Sequence, residues 1–317
     1  MLKLAIVGAG IMGANHARVA RTIRGFTITA VCDPDPVRAA AVAGSVGARH
    51  TAEVDEAIAD ADAVILATPS ETHAELGERI LRSGLDLLVE KPIATCVEGA
   101  QRLVDAAVAN DRVLMVGHVE RFNPVVTELL MHVRDPISIE ITRVGPFSPR
   151  ILADVVLDLM IHDVDLARAV VGQEVVAHSA MARDVRTADP DYATALLRFE
   201  GGVVANITAS RVSQNKVRRV MLAQGENCVV ADLLRQQIEI HRIEHSEYLS
   251  EGGARYRQSG LVEIPFLAQH GEPLGHELRH FLECVSDRRT PAVSGLDGLA
   301  ALQVCLAIRD SVIPLRA

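Results

Sequence analysis

The chain has 317 residues, a mass of 34.1 kDa and a formal net charge of −9, with 49% hydrophobic and 23% charged residues. This length predicts about two domains, and the composition is that of a folded globular protein and not of a disordered chain. Because the chain is acidic and has only 3% aromatic residues and no Trp, we expect neither a nucleic-acid-binding protein nor a protein of anionic membrane surfaces.

The scattered cysteines include no C-x-x-C pair, so neither a disulfide framework nor a thiolate zinc site is expected. No apolar run is long enough to cross a bilayer, and the apolar part of the N-terminal MLKLAIVGAG is too short for a signal peptide. We therefore expect a cytoplasmic protein.

The first predicted domain covers residues 1–119. Short apolar runs alternate there with helix-like stretches, and the runs are apolar on both faces, as in a covered parallel sheet. They cover residues 2–8, 26–33, 62–69, 85–92 and 112–119. This alternation predicts an N-terminal Rossmann domain, an α/β fold with a doubly wound parallel sheet.

The second predicted domain covers residues 120–317. It contains a helix over about 155–171 and then a series of strand-like runs without intervening helices. We expect an α+β domain with a mostly antiparallel open sheet, closed by two helices over about 273–288 and 295–312, which binds the substrate and forms oligomers. The stretch 250–260 is predicted to be a mobile loop.

A glycine-rich turn, GAGIMG (8–13), follows the first predicted strand and opens a helix. In a G-x-G-x-x-G turn, the first Gly allows the tight turn, the second lets the backbone approach a pyrophosphate, and the third allows close helix–strand packing. The N–H groups at the helix N-terminus then face the phosphates. The residues predicted to bind the dinucleotide here are Gly8, Gly10, Ile11, Met12 and Gly13.

Asp33 follows Gly13 by 20 residues, at the end of the second predicted strand, where an acidic side chain contacts the adenosine ribose. Its carboxylate would repel a 2′-phosphate, so NAD is favoured over NADP. Arg38, further along the chain, is the residue that argues for NADP. A structural alternative for Asp33 is that it caps the helix after Pro34.

Two further strands of this domain end in T-P-S and E-K-P. Ligands of open α/β sheets bind beyond the carboxyl ends of the strands. The residues that we therefore place near the nicotinamide are Thr68, Pro69, His73, Glu90, Lys91 and Pro92. For Lys91 the structural alternative is a solvated lysine at a strand end.

The helix over about 155–171 carries a narrow polar stripe. At about 100° per residue, Asp158, His162 and Asp165 fall within one sector that is bordered by apolar residues on both sides. Side chains in such a narrow stripe favour a cleft, and Asp158 can contact His162 at the i, i+4 spacing. With Lys91, the pair suits oxidation of a secondary alcohol: His162 takes the hydroxyl proton and Lys91 stabilises the alkoxide. The alternative is a buried structural Asp–His pair.

The segment 276–280 matches the H-E-x-x-H pattern of zinc peptidases. Leu278 belongs to the face of this helix that is predicted to be buried, whereas His276 and His280 lie roughly opposite. We interpret the two histidines as surface residues and expect no metal.

With these residues identified, the chain resembles the Gfo/Idh/MocA family of NAD(P)-dependent oxidoreductases over essentially its whole length. The resemblance rests on GAGIMG (8–13), E-K-P (90–92) and D-x-x-x-H (158–162). It implies that Lys91, Asp158 and His162 form the catalytic set, and that the protein is a homo-oligomer, either a dimer or a tetramer.

A closer resemblance is to the branch of this family that oxidises the 3-hydroxyl of UDP-N-acetylglucosamine with NAD. It rests on GHVERFNP (117–124), RVGPFSPR (143–150) and VLDLMIHDVDLA (156–167). The substrate contacts that it implies are His118, Arg121, Arg143 and Arg150, and the implied cofactor contact is Asn123. Guanidinium groups suit diphosphate oxygens, but the two arginines of RVGPFSPR could equally be structural.

Two other functions stay open at this point. The same residues could oxidise a free polyol such as an inositol, or the fold could serve a catalytically silent NAD-binding regulator. The intact set of Lys91, Asp158 and His162 argues against a silent regulator.

Overall fold

The computed structural model describes residues 1–148, 154–250 and 253–314, which fall into two compact units. The first unit contains Met1–Phe122 and Gly271–Gln303, and the second contains Asn123–His270 and Val304–Ala317. No helix in these described ranges is long and apolar enough to cross a lipid bilayer.

The α-helices are α1 (Ile11–Ala20), α2 (Pro36–Val46), α3 (Val54–Ile58), α4 (His73–Arg82), α5 (Val97–Ala109), α6 (Pro124–Met131), α7 (Ile161–Val171), α8 (Pro273–Asp287) and α9 (Gly295–Ser311). Short 3-10 turns cover Ser70–Thr72 and Val119–Phe122, and a π-helical turn covers Val156–Met160. The strands are β1 (Leu2–Val7), β2 (Phe26–Cys32), β3 (Arg49–Thr51), β4 (Ala63–Leu66), β5 (Asp86–Glu90), β6 (Leu114–Gly117), β7 (Pro136–Val144), β8 (Val175–Arg183), β9 (Tyr192–Phe199), β10 (Val204–Ser210), β11 (Val217–Gln224), β12 (Cys228–Asp232), β13 (Gln237–Ser250), β14 (Gly253–Glu263) and β15 (Ile313–Pro314).

The first unit is built on a parallel sheet in the order β3-β2-β1-β4-β5-β6. This is the doubly wound order of dinucleotide-binding domains, and it reverses between β1 and β4. Every residue of β4 and β5 is buried, which explains the continuous apolar runs in the sequence. The predicted Rossmann fold is confirmed. The sequence missed β3, because this three-residue edge strand has no apolar run.

Residues 271–303 group with the first unit, although the sequence assigned them to the second domain. Helix α8 packs against α1 and against the turn Val119–Phe122. Arg288, just beyond α8, donates to both carboxylate oxygens of Asp86 at 2.9 Å. The partners of α8 are distant in sequence, so local patterns hold no signal for these contacts. The prediction followed chain order and therefore placed residues 271–303 in the second domain.

The second unit contains a nine-stranded sheet in the order β14-β13-β12-β11-β7-β10-β9-β8-β15. The pairs β7–β10 and β8–β15 are parallel and the other neighbours are antiparallel, which confirms the predicted sheet. Strands β13 and β14 form a long hairpin, so the loop predicted over 250–260 is wrong for residues 253–260. Residues 258–263 are mostly exposed, and an exposed strand needs no apolar alternation.

Candidate active site

The glycine-rich turn between β1 and α1 has the shape that a pyrophosphate needs. Gly8 has a φ of +99°, and a Cβ on it would lie 2.4 Å from the carbonyl oxygen of Ala67. A Cβ on Gly13 would lie 1.8 Å from the carbonyl oxygen of Gly8, so α1 can approach β1 only with Gly at this position. A Cβ on Gly10, by contrast, would have no heavy atom within 4 Å. The backbone at the N-terminus of α1 is therefore open to a ligand.

Asp33 is 5% exposed at the end of β2 and bonds to the glycine-rich turn. One carboxylate oxygen accepts the N–H of Ala9 at 2.8 Å, and the other accepts the N–H of Asp35 at 2.9 Å and the guanidinium of Arg38 at 3.0 Å. Burial alone would raise the pKa of Asp33, but these donors lower it below its ordinary value. Asp35 caps α2 by accepting the N–H of Val37, so the capping role considered for Asp33 is wrong.

His73 connects the two loops that follow β4 and β5. Its ring is 1% exposed, with Nδ1 2.9 Å from the carbonyl oxygen of Pro92 and Nε2 3.0 Å from that of Thr68. Burial lowers the pKa of His73, although the two carbonyls and nearby carboxylates act in the opposite direction. The sequence placed His73 beside the cofactor; the structure uses its ring nitrogens to hold the T-P-S and E-K-P loops together.

Glu90 is bound by a histidine that the sequence reasoning missed. His16 on α1 is fully buried, with Nε2 2.8 Å from the Glu90 carboxylate. Burial would raise the pKa of Glu90, but the His16 hydrogen bond and the charge of Lys91 lower it below its ordinary value. The second carboxylate oxygen accepts the backbone N–H of Lys91 at 3.3 Å. Glu90 therefore anchors the point at which the chain leaves β5.

The remaining predicted residues of the first unit lie at the same edge of the sheet. Thr68, Lys91 and Pro92 are half-buried and Pro69 is exposed in the loops after β4 and β5, and the Lys91–Pro92 peptide is cis. Ile11 is 71% exposed in the first turn of α1, and Met12 is half-buried beside it. The carboxyl ends of parallel strands share one edge, so the structure brings these residues together with Gly10 and Asp33.

The second unit carries the predicted Asp–His pair. Asp158 lies in the π-helical turn Val156–Met160 and His162 lies in the first turn of α7, and both are half-buried. The helix predicted over about 155–171 is observed, but its residues Val156–Met160 form a π-helical turn, which has more than 3.6 residues per turn. Asp165, the third member of the stripe, is only 2% exposed and points inwards.

Arg143 on β7 is an internal ion-pair partner. Its side chain is 4% exposed and donates to the carboxylate of Asp163 on α7 at 2.7–2.9 Å through Nε and Nη2. This contact favours the structural alternative for Arg143 over the predicted substrate contact, because the guanidinium edge that would grip a diphosphate holds Asp163. Arg150 lies outside the described residues.

Three more predicted contacts, in the segment 117–124, make protein hydrogen bonds or are buried. Asn123 is 2% exposed; its amide accepts the N–H of Val125 at 3.3 Å and donates to the carbonyl of Leu233 at 3.1 Å. Arg121 donates to the carbonyl of Ala292 at 2.9 Å, and His118 is 1% exposed.

The H-E-x-x-H segment lies partly in the interior of the first unit. His280 is half-buried against the ring of Phe122, with a centroid distance of 5.3 Å, and its Nε2 accepts the N–H of Ala292 at 2.9 Å. The prediction of a surface residue is wrong for His280, because the turn Val119–Phe122 packs over this side of α8. Glu277, between the two histidines, is fully buried. The described residues contain no group of three or more His, Cys, Asp or Glu arranged to hold a metal.

Comparison with known proteins identifies the family. The model of the oxidoreductase family with an NAD-binding Rossmann fold matches residues 2–118, and the model of the GFO/IDH/MocA C-terminal domain matches residues 147–231. The chain belongs to the Gfo/Idh/MocA family. The family predicted from GAGIMG, E-K-P and D-x-x-x-H is thus confirmed, and its members are oxidoreductases.

Relatives match the Gfo/Idh/MocA chain over nearly its full length. UDP-N-acetylglucosamine 3-dehydrogenase from Acidithiobacillus ferrooxidans is 31% identical over 313 residues, which are 98% of this chain and 97% of that protein. Its solved structure covers the same shares and superposes with a TM-score of 0.89. Inositol 2-dehydrogenase from Rhizobium meliloti is 30% identical over 98% of this chain and 97% of its own length. Such relatives make the chain an NAD(P)-dependent dehydrogenase, as predicted.

Proposed function

We propose that this chain is an NAD-dependent dehydrogenase that oxidises a secondary hydroxyl of a sugar, namely the 3-hydroxyl of UDP-N-acetylglucosamine. The observation that carries the substrate is the whole-chain similarity to the Acidithiobacillus enzyme, at 31% identity and a TM-score of 0.89. The chemistry is supported by an imidazole and a carboxylate that stand half-buried at the start of α7, together with a half-buried lysine after β5.

NAD fits the residues of the first unit. Gly10 leaves its side of the turn open, as a pyrophosphate requires, and the N–H groups of the first turn of α1 supply donors for phosphate oxygens. The donors around Asp33 keep it ionised at neutral pH, and an ionised carboxylate accepts ribose hydroxyls but repels a 2′-phosphate. Bound NAD would supply the hydride acceptor for oxidation of the alcohol.

The chain's own residues then handle the proton and the charge. His162 takes the hydroxyl proton as general base, since a neutral imidazole is available near pH 7. Asp158 orients the imidazole, and the ammonium of Lys91 donates to the same oxygen as it becomes an alkoxide. Glu90 and His73 hold the E-K-P loop from which Lys91 extends.

A second candidate substrate is a free inositol. It is supported by the inositol dehydrogenases of Rhizobium meliloti and Bacillus subtilis, which are 30% and 27% identical over 98% of this chain. The buried Arg143–Asp163 pair removes one expected diphosphate contact from the nucleotide-sugar proposal. The two substrates differ in the diphosphate, so a direct comparison of turnover separates them.

We also propose that the protein is a cytoplasmic homo-oligomer. Met181, Leu196 and Val204 are 57%, 51% and 41% exposed on one face of β8, β9 and β10, which would pair well with a second copy. The five free cysteines fit a reducing compartment.

The proposed function is tested by measuring NADH formation from NAD with each of four substrates. They are UDP-N-acetylglucosamine, free N-acetylglucosamine, myo-inositol and scyllo-inositol. Lys91→Met and His162→Asn should each lower kcat by about 10²–10⁴-fold while NADH affinity stays within about twofold. The matched controls are the exposed residues Lys216 and His50, as Lys216→Met and His50→Asn. Turnover of inositol alone selects the second candidate, and no turnover with any of these four substrates refutes both.

A further inference from the structure

Glu277 on α8 is a buried carboxyl that the proposed chemistry does not use. It is 0% exposed, and neither carboxyl oxygen has a hydrogen-bond partner among the described residues. Its helix neighbours Leu274, Leu278 and Phe281 are also buried. An ionised carboxylate without a partner is strongly destabilising in such surroundings, so the neutral acid is the form that fits this site. A native group of this kind calls for a physical explanation.

The anion that acts on Glu277 is Glu90. Burial raises the pKa of Glu277 well above its ordinary value, and the negative charge of Glu90 raises it further. Glu90 stays ionised because His16 donates to it at 2.8 Å and Lys91 lies nearby. The pKa values of the two buried carboxyls are therefore shifted in opposite directions, and Glu90 is the one that favours the ionised form.

Elements around α8 bring several other titratable groups to this cluster. Helix α1 and the turn Val119–Phe122 pack directly on α8, and the loop after β5 and the start of α4 supply the groups that act on Glu90. The charged or titratable side chains from these elements are His16, Arg18, His73, Glu90, Lys91, Glu120 and Arg121. Arg18 forms an exposed pair with Glu272 at the start of α8, away from the buried carboxyls.

We propose that Glu277 is a positioning residue for Lys91 that acts through Glu90 as a neutral carboxylic acid. The proposal rests on the role of Lys91 in the proposed function. The O–H dipole of the acid turns towards the Glu90 carboxylate and stabilises its charge. Glu90 then keeps its bonds to His16 and to the N–H of Lys91, which fix the first residue after β5. An ionised Glu277 would repel Glu90, and an apolar side chain would remove the stabilising dipole.

The test compares Glu277→Gln, which imitates the neutral acid, with Glu277→Leu, which fills a similar volume without a dipole. Both are made in the full chain, without cofactor or substrate. The control is Glu283→Gln, an exposed carboxylate on the same helix. The infrared difference spectrum of wild type minus Glu277→Gln at neutral pH should show the C=O band of a protonated carboxylic acid. The Glu283→Gln difference should show carboxylate bands instead.

The second measurement is the rate at which N-hydroxysuccinimidyl acetate acylates Lys91, read by peptide mass spectrometry and normalised to the exposed Lys216. Glu277→Gln should stay within twofold of wild type, whereas Glu277→Leu should change the rate at least threefold. No acid band, or a Leu variant that reacts as wild type does, overturns the proposal. If the Leu variant does not fold, a Gln variant whose acylation rate differs from that of wild type by more than twofold also overturns the proposal. Neither measurement uses a sugar, so a failure of the proposed function would appear only in the turnover assay.

Discussion

Two alanine substitutions in the glycine-rich turn should have opposite effects on stability and binding. Gly10 has φ −70° and ψ −164°, which Ala adopts without strain, and its Cβ would meet nothing within 4 Å. Gly10→Ala should therefore leave the free energy of unfolding unchanged or raise it by about 0.4–1 kcal/mol, since Ala has fewer conformations in the unfolded chain. The new methyl group fills the space beside the pyrophosphate site, so NAD affinity should fall at least tenfold, or about 1.4 kcal/mol.

Gly13→Ala should destabilise the fold itself. Its Cβ would lie 1.8 Å from the carbonyl oxygen of Gly8, and a contact of at least 3.0 Å requires α1 and β1 to separate. Overpacking of this kind costs about 1–3 kcal/mol or more, which lowers Tm by several degrees. The control is Gly44→Ala in α2, where a Cβ would also have no heavy atom within 4 Å. This substitution should neither weaken NAD binding nor lower the free energy of unfolding.

Urea denaturation measures the free energy of unfolding, and a titration followed by NADH fluorescence measures the cofactor affinity. A Gly10→Ala variant that binds NADH as wild type does would refute the placement of the pyrophosphate at this turn. A Gly13→Ala variant with wild-type stability would refute the close approach of α1 to β1.

Three further predictions follow from single contacts. His73→Ala leaves the carbonyls of two loops without their ring contacts, so urea denaturation should show a loss of about 1–3 kcal/mol and NAD titration a weaker affinity. Asp33→Ser frees Arg38 for a 2′-phosphate, and the ratio of NADP to NAD affinity should rise at least tenfold in binding titrations. Asp191 is fully buried, and burial raises its pKa, but backbone N–H groups and Arg211 outweigh burial and hold the pKa well below its usual range. The stability that ionised Asp191 contributes is fully present above the unfolded pKa of about 4 and is lost as the pH falls below that value. Asp191→Asn should lower the free energy of unfolding by about 3–5 kcal/mol at pH 7 and remove this dependence on acid.

Local patterns predicted the Rossmann fold and its glycine-rich turn because the physics of both is local. The turn at 8–13 needs Gly for contacts within one β-α unit, and Asp33 ends the neighbouring strand of the same sheet. Residues whose partners are distant in sequence were missed. His16 binds Glu90, which is 74 positions away, and the only signal was a histidine on the helix face shared by Gly13, Ala17 and Ala20. The burial of Glu277 depends on α1 and the turn Val119–Phe122, which are distant in sequence, so the H-E-x-x-H pattern holds no signal for it.

The predicted substrate arginine shows a second reason why sequence reasoning stops short. Arg143 stands before a Pro-containing segment, where a diphosphate contact is chemically reasonable, but its partner is Asp163 on α7. That aspartate is adjacent to His162, so neighbouring positions of one helix differ: one is a half-buried imidazole that we propose as the general base, and the other is a carboxylate that holds α7 on β7. A helical wheel classes His162 and Asp163 alike as polar. It cannot show which of them has a buried cation such as Arg143 as its partner. Two buried charges stabilise the helix only as a pair, since either one alone would be left uncompensated. The position of α7, which carries His162, therefore depends on an ion pair that lies outside the D-x-x-x-H motif.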